Sequence, residues 1–474
     1  MKTFSANSLK LFKTVPMKKY IVLFLFFLPL MALTQNNPTV PMWESIGPAG
    51  FTPGAVYNVS LALSSSDVPY LAICDSYNDH KVSVMRYNGT FWEYVGDQCF
   101  TPKNAYYLSL AFSPSGELWI AYNNSSQSDK VSVMKFDGTS WVFVGSPGLS
   151  AGDAAYISLA FSSTGIPFIA YRDGANSRKI SAMKYYGDQW VQVGTPGFSP
   201  GEADYIRLAI DQYGAPYVSF QDWAHSQCGS VMKYAVNHWQ NVGVPAFTQT
   251  ATEFLDLAFS PDGQLYVSYP DHSNYVHASV KKFDGDLWVY AGQAGFTNMD
   301  VTETTIKFGP SGEPYVAVNE WIPIFAGYRA RVMKFNGTDW SDVGNKGFSV
   351  NRIYDPSLAF NSKGQPILAY QDYGLDDKAV VMKYDSVSVG VREPSTSEFA
   401  IYPNPATTTI TIGLKQANGK EVTCKITDAR GIVMTEVRSS ENKITLDVSD
   451  FKPGIYFVNI KTTESNYVGK FCKR

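Results

Sequence analysis

Fifteen residues after the start of each copy of a recurring element, SLAF or a variant of it, stand Asp75, Asn124, Asp173, Asp222, Asp271, Glu320 and Asp372. Six of these seven side chains are carboxylates, and carboxylates gathered on one face can do two kinds of work. A ring of oxygens can hold Ca²⁺ or a hydroxyl-bearing ligand. A pair about 5–10 Å apart can cleave a glycosidic bond. The competing role is structural, because Asp and Asn at strand ends accept hydrogen bonds from turn amides. Repetition in every unit favours the structural role, since a reaction needs one asymmetric constellation whereas a scaffold device recurs.

Departures from the repeat are therefore the more informative positions. One unit carries "NEWIPIFAGYRAR", 319–331, with Trp321, Ile322, Ile324 and Phe325 exposed unless they pack down or meet a partner. Another carries "QDWAHSQCG" with Trp223 and His225, and the next "PDHSNYVH" with His272, Tyr275 and His277. Zinc would suit such histidines, but no tight His spacing supports a metal site. The chain has no GxSxG elbow, no HExxH and no phosphate-binding Gly loop, so no residue is assigned a catalytic role. The candidate contact set is Asp75, Asp173, Asp222, Trp223, Asp271, Glu320, Trp321, Phe325 and Asp372. No cofactor is expected, with Ca²⁺ on the acidic ring as the alternative.

The elements that must position these residues are set by the repeat itself. Trp43, Trp92, Trp141, Trp190, Trp239, Trp288 and Trp340 are separated by five steps of 49 residues and one of 52, and the SLAF starts follow the same steps. Each unit reads as four short strands such as "YLSLAFS", "PFIAYRD", "KVSVMKF" and "WVFVG", with period-2 alternation and turn signals between them. Asn-Gly at 88–89 and 336–337 and Asp-Gly at 137–138 and 284–285 suit a two-residue type I′ hairpin turn. Four-stranded units at this spacing predict an all-β, seven-bladed β-propeller over 43–385, with the repeated Trp filling the seams between blades. The Trp strands run one register early, so the strand at Trp43 is expected to become the outer strand of the last blade and close the ring. The longer connections, including those with the acidic series, fall on one face. Any site is expected there or in the central channel.

Composition excludes some partners. The 474 residues carry a formal charge of −3 with no Lys/Arg cluster, which argues against nucleic acid. Lys18-Lys19, the thirteen-residue apolar run Ile21–Leu33 and the polar "QNNPTVP" make a secretory signal peptide, 1–34, with 1–16 as an upstream extension before Met17. That run is shorter than the roughly 20 residues of a typical span, so no transmembrane segment is expected in the mature chain. Cys424 with Cys472, and Cys74 with Cys99, could pair and leave Cys228 free. Neither bond follows from spacing alone.

Residues 386–398 read as a linker, and 399–474 as a second set of alternating strands forming a small β-sandwich. Here "YPNP" at 402–405, "DARG" at 428–431, "KPGIYFV" at 452–458 and the basic end "GKFCKR" stand in the order of a known family. The segment resembles the type A C-terminal sorting domain of the bacterial type IX secretion system. The resemblance implies export across the outer membrane of a Gram-negative cell, with the secretion machinery as a partner. The propeller lacks the marks of kelch and WD repeats; it slightly resembles fucose-binding propeller lectins without their repeating Arg and Glu pair. The expected function is binding of a glycan or a surface protein through the long-loop face. A secreted carbohydrate-active enzyme and a structural surface component are the alternatives.

Overall fold

The computed structural model describes residues 39–388, 399–414, 421–428, 433–461 and 466–474. The signal peptide, the stretch 389–398 of the linker and the Arg430-Gly431 turn lie outside the described residues. Two compact units result, Thr39–Val387 and a second one containing the C-terminal residues.

The first unit is a seven-bladed β-propeller made of seven four-stranded antiparallel sheets. In blade 1 the strands are Val56–Leu63, Pro69–Asp75, Lys81–Tyr87 and Trp92–Tyr94, from the axis outward. The inner strands touch in sequence around the ring, and the first also meets the last. The final sheet takes its outer strand from the other end of the unit: Thr39–Ser45 pairs with Lys378–Ser388. The expected closure is thus present.

The repeated tryptophans form the seams. The indole N–H of Trp92 donates to the Ile46 carbonyl, Trp141 to Val95, Trp190 to Val144, Trp239 to Val193, Trp288 to Val242, Trp340 to Ala291 and Trp43 to Val343, all at 2.7–2.8 Å. Each indole therefore satisfies its one polar atom on the neighbouring blade while its rings fill the gap. Six of the seven stack on a Phe, with centroids 3.9–4.9 Å apart. Trp190 has Leu149 in its cluster instead. The glycine after each donated-to carbonyl has positive φ, and at Gly344 a Cβ would sit 3.0 Å from Trp43. Only glycine fits both demands.

The hairpin chemistry differs from the expected pattern. Tyr87 pairs with Trp92, so Asn88-Gly89 lies in a four-residue loop, not a two-residue turn. Asn88 Oδ1 accepts from the amides of Thr90 and Phe91, and Asp137, Asp284 and Asn336 repeat the pattern. The side chain takes over the hydrogen bonding that a tighter turn would leave to the backbone. Two-residue links with positive φ at both positions occur at Gly187-Asp188 and Val236-Asn237, where no Asn-Gly or Asp-Gly pair marks them.

The second unit has two sheets. One holds Phe399–Tyr402, Thr409–Leu414 and Lys443–Asp447; the other holds Val433–Ser439, Val422–Asp428, Gly454–Lys461 and Asn466–Lys473. Ile410, Ile412, Cys424, Ile426, Tyr456, Val458 and Phe471 are among the side chains packed between them, giving a small β-sandwich. All five cysteines are free. Cys424 lies in this apolar core, while Cys74 donates to the Ala105 carbonyl and Cys99 faces Ser83. Neither pairing raised from the sequence is formed.

Candidate functional site

The acidic series proves to be internal scaffolding. Asp75, Asn124, Asp173, Asp222, Asp271 and Asp372 each cap a one-turn 3₁₀ segment, the side-chain oxygen accepting from the amide two residues on at 2.9–3.1 Å. Further bonds fill the remaining lone pairs, as from Asn176 and Ser181 to Asp173 or from His225 and Ser230 to Asp222. All six side chains are buried. Glu320 departs because the insertion lengthens the hairpin, carrying the 3₁₀ segment to Pro323–Phe325 with Ile322 before it. Its carboxylate instead forms a buried bidentate pair with Arg331 at 2.7 and 2.8 Å. Asp75, Asp173, Asp222, Asp271, Glu320 and Asp372, named as candidate contacts, are thus buried and engaged by hydrogen bonds within the propeller, the structural role that their recurrence favoured. Among the described residues no group of three His, Cys, Asp or Glu side chains could hold a metal ion.

The asymmetric constellation lies two residues before each SLAF start. There the inner strands place Asn58, Tyr107, Tyr156, Tyr205, Phe254, Glu303 and Asp355 around the axis. Each inner strand except that of blade 5 shows a register shift at this point. Six of the seven residues have φ between 48° and 55°. A bulge with left-handed backbone re-aims a side chain, and bulky residues adopt it only where the fold imposes it. Here it turns the side chains into the axial channel, a cavity of about 460 Å³.

The channel is two-sided. Blades 2 to 5 contribute a crescent of aromatic rings, Tyr107 to Tyr156 to Tyr205 to Phe254, with successive centroids 5.1, 5.1 and 4.6 Å apart. None of the three tyrosine hydroxyls bonds another protein group among the described residues. Blades 6, 7 and 1 contribute a polar arc held by backbone amides. The Asp355 N–H donates to Glu303 Oε2, the Asn58 N–H to Asp355 Oδ2, and the Tyr107 N–H to Asn58 Oδ1, each at 2.9 Å.

Deeper in the channel Ser60, Ser109, Ser158 and Ser357 each accept from a backbone amide of the next blade at 2.9–3.0 Å, stitching the ring. Blades 4 to 6 break that pattern with Arg207, Asp256 and Thr305. Asp256 accepts from the Ile306 amide and the Thr305 hydroxyl and lies 4.0 Å from Arg207 and 3.5 Å from Lys307.

Burial and the charge of Asp355 push the Glu303 carboxyl far above the usual carboxylate range, and burial raises Asp355 as well. The folded chain thus holds the Glu303 proton more tightly than the unfolded chain does. The contribution of Glu303 to stability is greatest in acid and falls as pH rises through the ordinary Glu range toward the raised folded value. Glu303→Gln removes that penalty. Its melting temperature should exceed the parent's above neutral pH and match it at about pH 4; a constant difference across the range would contradict the assignment.

Two side-chain chains lead outward from the mouth. On one flank Arg172 lies 5.0 Å over the Tyr156 ring and pairs with Asp204, which accepts from the Trp223 indole at 3.0 Å. On the other, Arg352 lies 4.9 and 5.2 Å from the Tyr354 and Tyr328 rings, and Tyr328 meets Trp321 edge-on at 5.4 Å. Trp223 is 45% and Phe325 48% exposed, with Arg329 over the Phe325 ring. Trp321 is half-buried. Four aromatics, two acids and an Asn share the −2 register of the repeat, but nothing in those residue types says that the register faces the axis.

No curated protein sequence matches this chain. Among solved structures, a fungal alcohol oxidase in complex with copper is 12% identical, covering 92% of this chain and 100% of its own at a TM-score of 0.47. The Aleuria aurantia lectin in complex with Fucα1-6GlcNAc is 14% identical, with 64% and 99% covered and a TM-score of 0.41. An α-L-arabinanase of Penicillium chrysogenum is 13% identical, with 59% and 93% covered and a TM-score of 0.37. Likenesses at this level carry no functional argument. Residues 400–474 match the family model of the secretion system C-terminal sorting domain. The tail is therefore a sorting domain of the type IX secretion system, and it marks the chain for export to the cell surface or the extracellular space.

Proposed function

We propose that the exported propeller is a non-catalytic glycan-binding protein whose ligand enters the mouth of the axial channel on the long-loop face. The aromatic crescent facing a polar arc carries this reading. Pyranose rings offer apolar faces to aromatic side chains and hydroxyls to carboxylates and amides, and this channel separates those two surfaces. Trp223, Trp321 and Phe325 are the outer contacts, standing where a longer glycan would leave the mouth. The size of the channel suits a small group of sugar atoms rather than a protein surface.

Glycan-array screening of the full chain tests the reading. Retention of defined oligosaccharides without turnover is expected, and Tyr156→Ala or Tyr205→Ala should weaken it about tenfold or more. Reducing ends released by the parent and lost in Glu303→Gln would instead favour the carbohydrate-active enzyme. Binding unaffected by the crescent substitutions would refute a channel site.

A further inference from the structure

The carboxyl pair at the mouth is short of positive charge. Among the described residues neither Glu303 nor Asp355 takes part in an ion pair, although both face the channel. The charged groups around them are otherwise engaged. Arg207 of blade 4 and Lys307 of blade 6 lie against Asp256 of blade 5, and the Arg352 guanidinium of blade 7 lies over two tyrosine rings. Through space, Arg352 and Arg207 act on Glu303 and Arg207 acts on Asp355, but neither guanidinium reaches a carboxyl as an ion pair, and the Cys74 thiol of blade 1 feels the charge of Asp355. Across the mouth stand four aromatic rings, of which Tyr156 already has the Arg172 guanidinium over it, and ring faces carry the negative part of the quadrupole. Two acids on one wall and π-faces on the other attract the same thing.

We infer that the group seated between Glu303, Asp355 and the Tyr107–Phe254 crescent is a protonated amine carried by the sugar, so that the preferred ligand is an amino sugar with a free ammonium group. A neutral hydroxyl could bond one carboxylate but would draw little from the second acid or from the ring faces. An ammonium gains from both. Burial raises the proton affinity of both carboxyls, and the charge of Asp355 raises that of Glu303 further, so a bound cation should displace a proton from the pair. The inference rests on the channel as the glycan site.

Isothermal titration of the full chain separates the two claims, with tetrameric β-1,4-linked glucosamine, its N-acetylated counterpart and tetramethylammonium as probes. The free-amine sugar should bind about tenfold tighter than the acetylated one, with an enthalpy that varies with buffer because protons are released. Glu303→Gln and Asp355→Asn should erase the preference while leaving residual binding of both sugars. Tyr156→Phe should keep it and Tyr156→Leu lose it, provided thermal melts show each variant folded. Equal affinity for the two sugars would overturn the amine inference and leave the glycan site standing. Glu303-dependent binding of tetramethylammonium with no sugar binding would show a cation site that takes no sugar, and would overturn both the glycan reading and the amino-sugar ligand. If no probe binds, both fall.

Discussion

Deletion of residues 39–45 is expected to abolish the monomeric fold of the propeller, and Trp43→Ala alone to cost about 3–5 kcal/mol. Among the described residues, the strand Thr39–Ser45 supplies the only hydrogen-bonded neighbour on the outer edge of Lys378–Ser388. Trp43 adds the seam between blades 6 and 7, with its indole on the Val343 carbonyl at 2.7 Å and its rings stacked on Phe348 at 4.4 Å. Loss of the strand therefore removes a seam and exposes a sheet edge in one step, and exposed edges recruit other chains. The same substitution at Trp141 should cost a comparable amount, because every seam repeats the same bond. At Trp43, however, the loss also frees a strand that no short turn ties to its sheet. Thermal melts with size-exclusion chromatography check this: the truncated chain should aggregate or lose its cooperative transition. A monodisperse truncated chain melting with the parent would show that blade 7 does not need its borrowed strand.

The architecture was legible because it is periodic. Seven tryptophans spaced by 49 residues, with one step of 52, and an early first copy encode both the blade number and the closure, and a buried seam leaves little freedom in what can occupy it. The caps were legible in chemical type, and their recurrence in every blade leaned toward a structural role. An Asp at a strand end can serve a turn or a ligand, and only burial of Asp222 and its neighbours decides. The channel was hidden for a different reason. Tyr107, Tyr156 and Tyr205 read as ordinary alternating strand residues, and the bulge that aims them inward has no signature in residue type. The first residue of the SLAF element did carry a signal, since Arg207, Asp256 and Thr305 replace a serine present in the other four blades.

Arg331→Met is expected to destabilise the propeller by about 3–5 kcal/mol, and the double variant Arg331→Met with Glu320→Gln to recover more than half of that loss. In blades 1 to 5 the position of Arg331 is a serine, and in four of the other six blades an Asp or Asn cap bonds that serine or a neighbour within the same hairpin; blade 6 replaces both partners together. The guanidinium meets Glu320 through two bonds and Asp342 through a third at 2.6 Å, with both Glu320 and Arg331 almost fully buried. Glu320 also accepts from the amides of Asn298 and Met299 at 3.1 and 3.3 Å, fixing the link from blade 5. Removal of the arginine strands a carboxylate in a site water does not reach, whereas a neutral amide keeps the amide contacts without the charge. The swap coincides with the lengthened strands Pro314–Ile322 and Gly327–Phe335, which carry Trp321 and Tyr328 toward the channel mouth. The ion pair thus acts as the footing of the one hairpin that breaks the seven-fold repeat. If glycan affinity falls in Arg331→Met more steeply than the folded fraction does, that hairpin positions the ligand; a loss that tracks the folded fraction confines the pair to stability.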